Sequence, residues 1–185
     1  MKDPYTIYCV ALAACGVISL FVALWFFKLN EKNLSLREKL PRNAFFGVLT
    51  AVAAALWCIP HAVPVVPAGL QHLIVPGAVV AAVLAITFLD YLFARTLGGF
   101  LILLAHYLLH DSFTFHTPLS PIFAVFCFII GTAGIFFAGK PYLMRDLIRK
   151  GAKERIFRFA VSAFFVLFAI SCIAASIFHF AGVSA

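Results

Sequence analysis

The sequence predicts an all-α integral membrane protein, a compact bundle of six transmembrane helices with short loops, forming one membrane domain over residues 1–185. Of the 185 residues, 64% are hydrophobic and 11% are charged, whereas soluble domains are roughly 45–50% apolar and about 25% charged. The chain also contains six apolar stretches near the length of about 20 residues that a membrane-spanning helix needs. The predicted partner is therefore a lipid bilayer.

The first helix is predicted at residues 5–27 and ends at Lys28, where the charged connection "KLNEKNLSLREKLPRN" begins. The stretch "ALAACG" matches the small-residue pattern of a lipoprotein cleavage site. However, the apolar run continues beyond it as "VISLFVALWFF", so we expect this segment to remain a membrane helix. The second helix is predicted at residues 44–60. It stops at "PHAVPVVP", where prolines prevent a regular helix.

The third helix is predicted at residues 74–94, with Pro76 in its first turn and Arg95 at its end. The fourth follows at once, at residues 96–112. The fifth covers residues 120–139, with Ser120 as N-cap and Pro121 at the first helical position. A basic, partly amphipathic segment, residues 140–158, is expected to set the topology and to bind anionic lipid headgroups. Its apolar residues able to lie on the membrane surface are Tyr142, Leu143, Leu147 and Ile148. The segment leads into the sixth helix at residues 156–180.

The basic residues predict an orientation. With six spans, the connections after helices one, three and five share one side of the membrane, and 13 of the 14 Lys and Arg residues lie in or beside them. These residues are Lys28, Lys32, Arg37, Lys39, Arg42, Arg95, Lys140, Arg145, Arg149, Lys150, Lys153, Arg155 and Arg158. Cytoplasmic loops carry an excess of Lys and Arg, so both termini are predicted on the non-cytoplasmic side. The net charge of +7 is thus explained without a nucleic acid partner.

Small residues recur every four positions in the second and third predicted helices. The two stripes are Gly47, Ala51 and Ala55, and Gly77, Ala81 and Ala85. Small residues let helix backbones approach closely in a bilayer, where lipid removes the hydrophobic driving force. We therefore expect these two helices to pack against each other.

All six histidines fall on the non-cytoplasmic half of the predicted topology. His106 and His110, followed by Asp111, lie on the fourth helix. Counted from Arg95 at about 1.5 Å per residue, they are roughly 16 Å and 22 Å into a hydrocarbon core of about 30 Å. Ionisable residues at such depth usually face a bundle interior or a wet cavity. Because Gly98, Ile102, His106 and His110 are spaced by four, that face is expected to turn inward.

These residues suggest a pocket near the outer leaflet that a transition metal or a haem could occupy. Two histidines at i and i+4 can bind one metal, and Asp111, His61 or His179 could complete its coordination. Cys58 lies one turn before His61 and would suit a softer metal. Haem needs only two axial histidines from different helices. The spacing lacks the glutamate of zinc-protease motifs, so no protease is predicted.

Three classes of function remain open at this point. The first is a non-catalytic helix-bundle component of a larger assembly in the cell membrane, the cytoplasmic membrane in a bacterium. Its partners would be other membrane subunits or further copies of the chain. The second is a metal- or haem-binding protein using the outer histidines. The third is a small transporter or channel lined by Asp90 and His106, which the lack of an inverted sequence repeat disfavours. An enzyme is disfavoured because no nucleophile and base are paired. Short loops favour the first class.

Overall fold

The computed structural model describes residues 4–63, 66–115 and 120–180, and this part of the chain is all-helical, without a strand. The helices are α1 Pro4–Phe27, α2 Leu34–Arg37, α3 Ala44–Ala62, α4 Ile74–Phe88, α5 Leu92–Thr114, α6 Ser120–Gly139, α7 Tyr142–Lys153 and α8 Arg155–Phe180. Short 3-10 segments at Glu31–Asn33, Leu40–Arg42 and Ala68–Leu73 complete the connections.

Among the residues that the structure describes, five helical segments are long and apolar enough to cross a membrane. They are Tyr5–Phe27, Ala68–Phe88, Leu92–Thr114, Pro121–Gly139 and Arg155–Ile177. A sixth candidate is a bent pair of helices, Glu31–Arg42 and Ala44–Ile59, whose two parts meet at 46°. The prediction of an all-helical chain is confirmed, and five or six segments of the described residues have the length and composition that a membrane span needs.

Four of the predicted helices agree with the structure to within two residues, but the boundary between the third and fourth was wrong. The break lies at residues 89–91 and not at Arg95. Leu89 is extended, and Tyr91 adopts a left-handed conformation with φ of 57°. That conformation is uncommon for a residue other than glycine, and a tertiary contact usually holds it. Hydropathy misses the break because "TFLDYLF" is apolar on both sides of the turn.

Arg95 lies inside α5 because its charge has a partner there. Its Nη1 donates to the carbonyl oxygen of Ala138, 3.2 Å away, in the last turn of α6. The last carbonyls of a helix lack partners within that helix and carry a partial negative charge, which a guanidinium offsets. A charged residue normally marks the end of a membrane helix, but this contact allows Arg95 to lie inside α5.

The described helices group into two units. The first unit contains residues 1–35, 105–130 and 147–185. Its largest contact is that of α1 with α8. There, a methyl group added at Gly16 would lie 2.8 Å from Ile173 Cγ1, so only glycine allows this approach. Ser176 Oγ donates to the carbonyl oxygen of Cys9 at 3.0 Å. A hydrogen bond therefore joins α8 to α1 within this mainly apolar contact.

The second unit contains residues 36–104 and 131–146, and α3 packs against α4 in it, as predicted. Of the predicted contact residues, Ala51 is buried and Ala85 is half-buried, but others are placed differently. The atoms nearest to Gly47 belong to Leu92 of α5. Gly77 has open space around it, and Ala81 is exposed. In this unit α5 and α6 approach closely at Gly98 and Gly134, where an added Cβ would clash with the backbone of the other helix.

The basic segment 140–158 contains α7, whose apolar face is covered by the chain itself. In the first unit, Ile148 and Ala152 form a buried cluster with Leu29, and Trp25 and Leu34 pack against it. Ile148 is only 1% exposed. The expectation that this residue lies on the membrane surface was wrong because the end of α1 covers it first.

Candidate functional site

His106 and His110 lie one turn apart on α5, and both side chains are exposed. Their ring centroids are 6.1 Å apart. Asp111 Oδ1 lies 3.0 Å from His110 Nδ1, and the exposed fractions of these two side chains are 19% and 66%. The pair is therefore accessible on the surface of its unit, with one ring oriented by a carboxylate.

Gly98 and the two histidines do not share the packed face that their spacing predicts. A methyl group at Gly98 would lie 2.6 Å from the carbonyl oxygen of Gly134, so this position packs tightly as expected. The histidines are exposed because four residues turn a helix by about 400°, about 40° beyond a full turn. Measured around the helix axis from Gly98, the offset is about 80° at His106, eight residues later, and about 120° at His110, twelve residues later. The inward expectation for His106 and His110 was wrong for this reason.

The remaining histidines are dispersed. His72 is exposed in the segment Ala68–Leu73, and Cys58 is exposed on α3. His61 lies in α3 and His179 in α8, but their side chains, like the whole of His116, lie outside the described residues. Across the described part of the chain, no three His, Cys, Asp or Glu side chains come close enough to hold a metal ion. A metal shared by His106, His110, Asp111, His61 and His179 stays a prediction.

A different cluster converges on the turn between α4 and α5. Arg42, just before α3, donates through Nη2 to the phenol oxygen of Tyr91 at 2.6 Å. Its guanidinium carbon also lies 4.5 Å from the centre of the tyrosine ring. Arg145, in the first turn of α7, donates through Nη1 to the same oxygen at 3.4 Å. Two guanidinium groups thus meet at one neutral oxygen, on the residue whose backbone is left-handed.

An open cleft of about 490 Å³ adjoins this cluster. Its polar lining comes from Arg42, Asp90 and Tyr91, and its other lining residues are Ala44, Ile86, Leu89 and Leu92. Asp90 is exposed and forms no ion pair with Arg95, whose guanidinium bonds to α6 instead. The cleft therefore combines a cation, an anion and an apolar wall at the end of a membrane-length helix.

Sequence reasoning missed this cluster because its residues are far apart along the chain. Residues 42, 91 and 145 are separated by 49 and 54 positions. Tyr91 was predicted inside a helix, and the two arginines were used only to predict the orientation of the chain in the membrane. The one usable signal was Asp90, a carboxylate inside an apolar run, which marks the turn.

Comparisons with known protein families, curated proteins and solved structures gave no match to this chain.

Proposed function

We propose that this chain is a non-catalytic, six-span subunit of a larger assembly in the cell membrane. Both termini would lie on the non-cytoplasmic side, because the basic residues collect on the three connections that such a topology places in the cytoplasm. The apolar part of the bent pair, Ala44–Ile59, would supply the sixth span, and the charged part, Glu31–Arg42, would belong to the connection before it. The partners would be other membrane subunits or further copies of the chain.

The observation that carries this proposal is the exposure of α4. None of the residues in the span Ala68–Phe88 is buried within the chain. Ala78, Ala82 and Ala85 are half-buried along one side of α4. Gly77 and Ala81 form a second small-residue face, about 80° away by helical rotation, and it is exposed. Small residues serve helix contact in a bilayer, so this exposed face suits a neighbouring subunit.

The test is to add bulk to the exposed small-residue face. Gly77→Leu should shift the protein from a high-mass species to the mass of one chain, measured by native electrophoresis and light scattering in a mild detergent. Val79→Leu is the matched control because Val79 is exposed on the same helix, about 160° around it from Gly77. The proposal fails if the wild-type chain is a lone monomer in both mild detergent and lipid nanodiscs.

A metal-handling role is the second candidate, and the exposed pair His106 and His110 favours it. Two accessible imidazoles one turn apart, one of them beside Asp111, provide part of a coordination shell. His61, His179 or a neighbouring subunit would supply the rest, or a second haem ligand. Elemental analysis of unchelated protein should find about one equivalent of metal, or its absorbance a Soret band. His106→Ala with His110→Ala should remove either signal, and a colourless, metal-free wild type would exclude the role.

A further inference from the structure

We propose that the cleft beside Tyr91 binds a zwitterionic phospholipid, with its phosphate at Arg42 and Tyr91, whose oxygen also accepts from Arg145, and its ammonium group at Asp90. The inference rests on the chain crossing a bilayer, but it does not require that the chain be part of an assembly. Four observations on the described residues carry it: an unneutralised cation, an unneutralised anion, an apolar wall and a constrained backbone.

The cation is Arg42. Its guanidinium contacts Tyr91, through the hydrogen bond of 2.6 Å and the ring contact of 4.5 Å, and no carboxylate of the described residues pairs with it. A phenol is a neutral acceptor and leaves the positive charge uncompensated. The second guanidinium, Arg145, shares its charge with Asp146, whose Oδ1 lies 3.4 Å from Nε. A phosphate is the anion that such converging arginines bind best, because it accepts several hydrogen bonds at once.

The anion is Asp90. Its carboxylate lines the same cleft, and it has no ion pair or hydrogen bond with another described residue. An anionic phospholipid would satisfy Arg42 but would bring a second negative charge towards Asp90. A headgroup that carries both a phosphate and an ammonium matches both side chains. A primary ammonium matches Asp90 best, because it donates hydrogen bonds to a carboxylate in addition to its charge.

The third observation is the apolar wall. Ile86 and Leu89 line the cleft at the end of α4, a helix within a segment apolar enough to cross a membrane. Phospholipid headgroups and acyl chains meet at this depth of a bilayer, so the wall would accept the upper part of an acyl chain. Inorganic phosphate would leave that wall without a ligand.

The fourth observation is the backbone of Tyr91, with φ of 57°. A residue other than glycine in this conformation costs free energy, and such residues concentrate at ligand sites. The conformation presents the tyrosine oxygen to both arginines and orders the polar end of the cleft.

The experiment measures lipid retention by native mass spectrometry of the full-length protein in detergent. The lipids are phosphatidylethanolamine, phosphatidylcholine and phosphatidylglycerol in equal amounts with identical acyl chains. We expect the wild type to retain phosphatidylethanolamine above the other two. Asp90→Asn should lower its ratio to phosphatidylglycerol by about tenfold, the loss of one charged hydrogen bond. Glu31→Gln, which removes an exposed carboxylate that is not among the lining residues of the cleft, should leave that ratio unchanged.

The arginine is tested separately. Arg42→Gln should reduce retention of all three lipids, whereas Arg155→Gln, which changes an exposed arginine that is not among the lining residues of the cleft, should not. Since the Asp90→Asn result is a ratio of two lipids on the same folded molecules, partial unfolding does not alter it.

The proposal is overturned if the wild type prefers phosphatidylglycerol, if Asp90→Asn keeps the wild-type ratio, or if Arg42→Gln retains as much lipid as Arg155→Gln. Displacement of the lipid by excess inorganic phosphate would also overturn it. A monomeric wild type would contradict the subunit proposal and leave these ratios unaffected.

Discussion

Gly98 of α5 and Gly134 of α6 meet backbone to backbone. A methyl group added at Gly98 would lie 2.6 Å from the carbonyl oxygen of Gly134, and one added at Gly134 would lie 2.7 Å from that of Gly98. Neither obstacle is a side chain that could rotate away. The helices can approach this closely only because both residues lack a Cβ.

Gly98→Ala should therefore destabilise the protein. The added methyl forces α5 and α6 apart, and overpacking of this kind costs about 1–3 kcal/mol. The thermal unfolding midpoint in detergent should fall. Gly99→Ala is the matched control, because a methyl group there meets nothing within 4 Å. It should be neutral or stabilising by up to about 1 kcal/mol through helix propensity. Equal midpoints for the two variants would contradict the close approach.

Thr96→Val should weaken the contact of α3 with α5. Thr96 Oγ1 lies 2.5 Å from Thr50 Oγ1 and 3.3 Å from the carbonyl oxygen of Gly47. Hydrogen bonds between membrane helices contribute about 0.6 kcal/mol on average, and a double-mutant cycle with Thr50→Val would measure the coupling. Thr87→Val is the control, because the Thr87 hydroxyl donates only to carbonyls of its own helix. A coupling energy of zero would show that the two hydroxyls do not interact.

Ile148→Ala should leave a cavity beneath α7. Ile148 is 1% exposed and packs with Leu29 and Ala152, so its truncation should cost about 2–5 kcal/mol. Chemical denaturation or protease sensitivity of the α7 region would report the loss. Ile156→Ala removes the same atoms from a side chain that is 87% exposed, and its effect should be small. If α7 lay on the membrane surface, the two variants would behave alike.

Single cysteines test the proposed orientation. His72→Cys and Lys32→Cys both replace exposed residues in connections, and each would be made in a chain without its five native cysteines. In intact cells, a membrane-impermeant maleimide should label residue 72 at once and residue 32 only after permeabilisation, because the basic connections are expected inside. The reverse pattern would show that the topology is inverted. Labelling of both residues in intact cells would show that the helix between them does not cross the membrane.

Hydropathy was sufficient where a helix ends in a polar or proline-rich connection. The ends of α1 at Phe27 and α6 at Gly139 follow from the charges or glycine beside them. It failed at the turn after Phe88, since the apolar run continues through that turn and contacts distant in sequence decide the break. The faces of α5 were also mispredicted. A four-residue spacing drifts around a helix, so His106 does not share the contact that Gly98 makes.

The amino-acid sequence alone determined that this chain forms helices long and apolar enough to cross a membrane, because the solvation of apolar and charged groups depends on composition and on runs of adjacent residues. It also determined where the basic residues collect. Only the tertiary structure decided which small residues pack, where α4 gives way to α5, and that Arg42 and Arg145 meet at Tyr91. Those outcomes depend on contacts between residues that are far apart in the sequence, 36 positions for Gly98 and Gly134 and 49 for Arg42 and Tyr91. The free energy of such contacts cannot be inferred from the local propensities of a short stretch of sequence.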